Sequence, residues 1–183
     1  HMSELKALRS GFVAFLDGLW FGLRENVGAL SMYEGYAGGF KQMGLEAAER
    51  EGGKGSEAAA KIATALMATM GLDVEQNGKE IIVKTSPLWE RVLDRGLEYS
   101  FHVEEICWKP MLEGIGEKTG TKPILESSLR LAHIERVKVE YKKGKAKAAL
   151  DKGAMSKEDF DKQITALDIA MQEIPIVGRY RFA

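Results

Sequence analysis

The sequence predicts an α+β fold: an antiparallel sheet built from two hairpins and packed against several helices, one of them glycine-rich. Three observations predict it. Apolar residues near the start recur every three to four positions, the period of a helix buried on one side. Two later stretches are strand-like, with β-branched residues next to turn signals. Serine caps and glycine stops separate the periodic segments.

The first helix is expected over 3–24, where Leu5, Leu8, Phe12, Phe15, Leu16, Leu19 and Leu23 fall at helical spacing. Val13, Trp20 and Phe21 add apolar surface around the rest of the circumference, so one monomer does not bury it all and a homodimer interface is expected here. The second helix is expected to start at Ser31 with Glu34 in capping-box spacing, and to stop at Gly52-Gly53. Its interior glycines, Gly35, Gly38, Gly39 and Gly44, each cost about 1 kcal/mol relative to alanine, so another helix or a ligand should approach the backbone there.

A third helix runs from Ser56 to Met70 and ends at Gly71. The period then changes. Asn77-Gly78 lies between Leu72/Val74 and Ile81-Ile82-Val83, which predicts a hairpin with a type I′ turn. Ser86 and Pro87 open a short helix that leaves at Gly96. Pro110 suits a first helical turn, so the next helix is placed from Lys109 to Gly120, with Cys107 just before its N-terminus. Strand-like runs over 123–131 and 135–142, joined near Ala132-His133, predict the second hairpin. Beyond Lys143 two short helices are expected, split at Gly153, with Ser156 capping the second.

The chain therefore divides into His1-Met2, which reads as a cloning scar; the helix 3–24; an α+β ligand-binding domain over 25–143; and a helical hairpin with a C-terminal tail over 144–183. Its 183 residues, 45% hydrophobic and 29% charged, suit one domain's worth of buried core. A net charge of −1 gives no global attraction to nucleic acid or anionic membrane, and neither is expected as a partner. The basic cluster Arg136, Lys138, Lys142, Lys143, Lys145 and Lys147 is diluted by Glu135, Glu140 and Asp151, and reads as a solvated face. No stretch has the pattern of a signal peptide or membrane span, and the lone Cys107 can form no internal disulfide, so a cytoplasmic location is expected.

Three stretches, "LRENVGALSMYEGYAGG", the hairpin before "SPLWERVLDRG", and "CWKPMLEGIGEKTG" leading into "PILES", give residues 20–142 a resemblance to the vinyl-reductase or hydrocarbon-binding domain family. That family includes a bacteriochlorophyll vinyl-reductase subunit and ligand-sensing domains of aromatic-responsive regulators. The resemblance implies a ligand-binding fold. Family members commonly carry further cysteines in the last hairpin, suited to a metal or tetrapyrrole-linked role, whereas this chain has Ser127, Ser128 and His133 there. A thiolate-rich zinc site does not carry over. The segment after Lys143 resembles the short helical hairpin found at the C-terminus of many bacterial and archaeal proteins.

The leading expectation is a non-enzymatic binding or sensory domain whose pocket lies between the glycine-rich helix and the sheet and takes an apolar or planar ligand, a tetrapyrrole among the candidates. Tyr33, Tyr36, Phe40, Trp89, Phe101, Trp108 and Met111 are the expected wall, with plain core packing as the alternative role. A rival is a small metal-dependent hydrolase or reductase subunit centred on Cys107. His102 or His133 would be its base, and zinc or iron would be held by Cys107, His102, His133 and a carboxylate, Glu105 or Glu126. A helix N-terminus would favour the thiolate, while Glu104 and Glu105 oppose it, and the simplest role for a cysteine between Ile106 and Trp108 is a small buried hydrophobe. A scaffold or assembly protein is a third reading.

Overall fold

The structure is a computed structural model that describes residues 3–95 and 104–183. Helix α1 (Glu4–Val27) begins at Ser3, whose hydroxyl accepts from the Lys6 N–H, and helix α2 (Ala29–Glu51) follows after a single residue, Gly28. Gly28 has φ +94°, a conformation costly for any other residue, and it turns the chain without a loop. Ser31 and Glu34 therefore lie inside α2, and the capping box expected there does not form the helix start. Helix α3 (Ser56–Thr69) ends as the sequence predicts, with Gly71 at φ +95°.

Strands β1 (Asp73–Asn77) and β2 (Glu80–Thr85) form the first hairpin. Asn77 pairs with Glu80, so the loop is Gly78-Lys79. Gly78 has φ +62° and no described non-glycine residue has positive φ, which is the type II′ pattern in place of the expected I′. Helix α4 (Pro87–Arg95) is capped by Ser86, whose hydroxyl accepts from the Trp89 N–H at 3.4 Å. A π-helical turn, Glu104–Trp108, runs directly into helix α5 (Lys109–Thr119). Strand β3 (Pro123–Ser127), helices α6 (Leu129–Asp151) and α7 (Lys157–Glu173), and strand β4 (Gly178–Phe182) complete the chain.

The expected second hairpin is not formed, because 129–151 is one helix. "RVKVEY" alternates locally, but Ala132, Val139 and Ala146 bury at helical spacing and Ser128 accepts the Leu131 N–H at 3.0 Å as N-cap. β3 instead neighbours β4, giving the antiparallel order β1-β2-β4-β3. Ile81 pairs with Tyr180 and Val83 with Gly178, while Lys122 and Ala183 exchange both backbone hydrogen bonds at 2.9 Å. On the inner face Ile81, Val83, Tyr180 and Phe182 are buried, and on the outer face Arg179 meets Glu80 at 2.9 Å and Arg181 meets Glu126. The C-terminal tail is thus a sheet strand.

The chain divides into two units, residues 1–126 with 178–183, and residues 127–177. The helical unit therefore begins near 127 and not at 144. It is held by an apolar seam of Ala132, Val139, Leu167, Met171 and Ile174, by Lys143–Asp168 at 2.5 Å, and by Arg136 donating to the Pro175 carbonyl at 3.0 Å.

In the larger unit α3 buries Ala59, Ala60, Ile62, Ala63 and Met67 and packs against both the sheet and α5, and the most extensive contact between elements is α2 on α5. That contact is backbone on backbone. A Cβ on Gly44 would overlap the Met111 carbonyl oxygen, and one on Gly114 would overlap the Lys41 carbonyl oxygen. No helix among the described residues is long and apolar enough to cross a membrane.

Gly35, Gly38 and Gly39 have open space where a Cβ would sit, so Gly39 is not the point of close approach. Gly44→Ala should lower stability by about 3 kcal/mol or more through overpacking, whereas Gly39→Ala should raise it by about 1 kcal/mol through helix propensity. Urea unfolding of the two variants checks this opposition of sign.

Candidate functional site

Two of these three open glycines, Gly35 and Gly39, line a groove. Between α1 and α2 a shallow apolar groove of about 230 Å³ is walled by Phe12, Leu16 and Leu19 from α1 and by Tyr36, Phe40 and Met43 from α2, with Gly35 and Gly39 between them. Gly35 and Gly39 leave the volume of a side chain unfilled here, and Gly28 joins the ends of the two helices. The one side-chain hydroxyl among these residues, that of Tyr36, donates to the Leu16 carbonyl, so no free polar side chain lines the groove. Its phenol is pushed up from the ordinary 10.0 by burial first, then by the like charge that an ionised Cys107 and Asp17 place beside it.

Most of the expected wall is core. Tyr36, Phe40, Trp108 and Met111 are buried, with Phe40 edge-on to Trp108 at 5.7 Å and nearly parallel to Tyr36 at 6.5 Å. Phe40 and Trp108 pack across α2 and the π-helical turn, so among the described residues these side chains serve as core and not as an open wall. Only Tyr36 and Phe40 also reach the groove. Tyr33 is half-buried on α2, Trp89 is buried on α4, and Phe101 lies outside the described residues. Phe12, Leu16, Leu19 and Met43 were not among the expected wall residues, although the apolar stripe on the first helix is visible in the sequence, whereas Gly35 and Gly39 were expected to meet a helix or a ligand.

A larger cleft of about 490 Å³ lies between α1 and α4, and two of its charged groups, Arg9 and Arg91, serve the fold. Arg9 caps α3 by donating to the Thr69 and Ala68 carbonyls at 3.0 and 2.9 Å, and Arg91 donates to Asp17 at 2.5 Å. Asp17, 4% exposed, also takes Arg95 at 2.7 Å, and Arg95 in turn lies over the Phe21 ring at 4.8 Å. This clasp fastens α4 to α1. The smaller apolar groove, free of such internal pairs, is the better candidate site.

Cys107 sits in the π-helical turn, inside continuous helix and not before its N-terminus, and it is fully buried. Burial first, and the neighbouring Glu104 carboxylate second, push its thiol well above the ordinary 9.0. That is the reverse of activation. His102 and the side chain of Glu105 lie outside the described residues. His133 is half-buried on α6 in the helical unit, while Cys107 belongs to the larger unit. Glu126 is exposed and paired with Arg181. Among the described residues no three of His, Cys, Asp and Glu come together as metal ligands.

A maleimide reagent at neutral pH should leave Cys107 unlabelled until the protein unfolds. Because the native thiol holds its proton while the unfolded one releases it above about pH 9, stability should fall as pH rises from there, with Tyr36 adding to the fall above 10.0. Cys107→Ala should flatten the first part of that decline, and fast native labelling with an unchanged alkaline profile would contradict the buried placement. No family model, curated protein or solved structure matches this chain.

Proposed function

We propose that the chain is a non-enzymatic small-molecule-binding or sensory domain for an apolar or planar ligand, and that the ligand lies in the α1–α2 groove. The observation that carries this reading is the pair Gly35 and Gly39: helix interiors keep glycine at a cost, neither residue meets a neighbour, and both open onto one apolar groove. At about 230 Å³ the groove is below the ~300–1,000 Å³ of sites that enclose a drug-sized molecule. It suits a small flat apolar molecule, or one edge of a larger planar one, so a tetrapyrrole would be held by its rim. The resemblance to hydrocarbon-binding domains points to the same ligand class. No observation among the described residues favours the Cys/His-centred hydrolase or reductase.

Gly39→Met should fill the groove without steric conflict. Nile red fluorescence titration should show at least ~10-fold weaker binding for this variant than for wild type, with the melting temperature unchanged or higher. Equal dye affinity in both proteins would place the ligand elsewhere.

A second reading, a scaffold or assembly role through a homodimer, is favoured by the outer face of α1. Leu5, Leu8, Phe15 and Leu19 are 38–72% exposed there and continuous with the groove through Leu19. Sedimentation velocity should show a dimer that Phe15→Asp converts to a folded monomer. A wild-type protein monomeric at all accessible concentrations would remove the dimer while leaving the ligand reading intact.

A further inference from the structure

On the helix the basic cluster is concentrated, with Glu135 the one acid beside it. Successive residues of an α-helix turn by about 100°, and on α6 this places Lys138, Lys142 and Lys145 together on one flank with Glu135 at its edge, and Glu140 and Lys147 on the other flank. Between the flanks runs a second apolar row, distinct from the seam that meets α7. Ile134, Val137, Tyr141, Gly144 and Ala148 follow one another at spacings of three, four, three and four, the a/d register of a helix–helix seam. Val137 is 47% and Tyr141 66% exposed, Lys145 lies over the Tyr141 ring at 5.3 Å, and a Cβ on Gly144 would meet nothing within 4 Å.

We infer that this outer face of α6 is a docking surface for an amphipathic helix of a partner protein that carries carboxylates along one flank. The other face of α6 already binds a helix in this way: α7 has Glu158, Asp159, Asp161, Asp168 and Glu173 against two lysines, and it joins α6 through an apolar seam and the Lys143–Asp168 pair. The outer row repeats the chemistry, with Val137 and Tyr141 left exposed. A second α6 is the wrong occupant, since in antiparallel pairing the lysine flanks would face each other, and in parallel pairing only Glu140 would find a lysine at the matching flank position. The exposed face of α7 offers one large apolar residue, Ile169, too little for a seam. An anionic membrane would meet the whole face at once and press Glu135, Glu140 and Asp151 against its headgroups. A nucleic acid has no use for the aliphatic row between the cations.

The test uses the full chain and a synthetic three-heptad helical peptide with leucine at its seam and glutamate along its flanks, alongside a lysine-flanked control. Fluorescence anisotropy should show the acidic peptide binding at least ~10-fold more tightly than the control, with affinity falling as salt rises. Lys138→Glu, Lys142→Glu and Lys145→Glu together should reverse that preference, and Val137→Ser with Tyr141→Ser should remove binding of both peptides, while circular dichroism shows an unchanged fold. Equal affinity for the two peptides, a triple variant that still prefers the acidic one, or binding confined to single-stranded nucleic acid or to phosphatidylserine vesicles would each overturn the inference. The Gly39→Met variant should bind the acidic peptide like wild type, which separates this surface from the groove.

Discussion

The larger unit depends on the contact of two helix backbones. Gly44 admits the Met111 carbonyl and Gly114 admits the Lys41 carbonyl, a reciprocal arrangement that no side chain larger than hydrogen permits at either point. Everything else in the core is arranged around that approach. Phe40 and Trp108 close edge to face on one side of it, Met111 and Ile115 are buried along it, and α3 carries the helices onto the sheet. A helix pair brought this near gains dispersion contacts along its whole length, which offsets the conformational entropy that glycine gives up on folding.

The same helix spends its glycines in two opposite ways. At Gly44 the missing side chain is replaced by a neighbouring backbone, whereas at Gly35 and Gly39 it is replaced by open apolar space. The first makes a rigid platform of α2, and the second turns its other face into a shallow groove under α1. Helix α1 is placed over that groove by fixed points: the Gly28 junction, the Tyr36 hydroxyl on the Leu16 carbonyl, and the Asp17 clasp to Arg91 and Arg95 of α4. A buried carboxylate with two guanidinium partners is costly to break from one side, so α1 has little freedom to slide.

Local chemistry made much of this legible in the sequence. The caps at Ser86 and Ser156, the stop at Gly71, and the hairpin at 73–85 all follow from residues within a few positions of one another. What the sequence hid is set at a distance. β4 pairs with β2 almost one hundred positions earlier, and although "GRYRF" alternates, nothing nearby identifies its partner. The stretch 129–142 alternates as a strand would, yet it is helical, capped by Ser128 and buried against α7 at helical spacing. The interior glycines were legible as exceptions, but which of them meet backbone and which meet open space is a property of helix crossing. For the same reason the expected aromatic wall is divided, with Trp108 and Met111 sealed between α2 and α5 and Tyr36 and Phe40 shared with the groove.

Methionine side chains sample both environments, which makes them the most direct reporters of this division. Met43 lines the groove, whereas Met32, Met67 and Met111 are buried. In a methyl-resolved NMR titration of the ¹³C-methyl-methionine-labelled protein with naphthalene, the Met43 resonance should move as the ligand is added while those of Met67 and Met111 stay in place. A titration that moves Met111 and leaves Met43 unchanged would put the ligand between α2 and α5, and would contradict the account of a closed glycine-locked core beside an open glycine-floored groove.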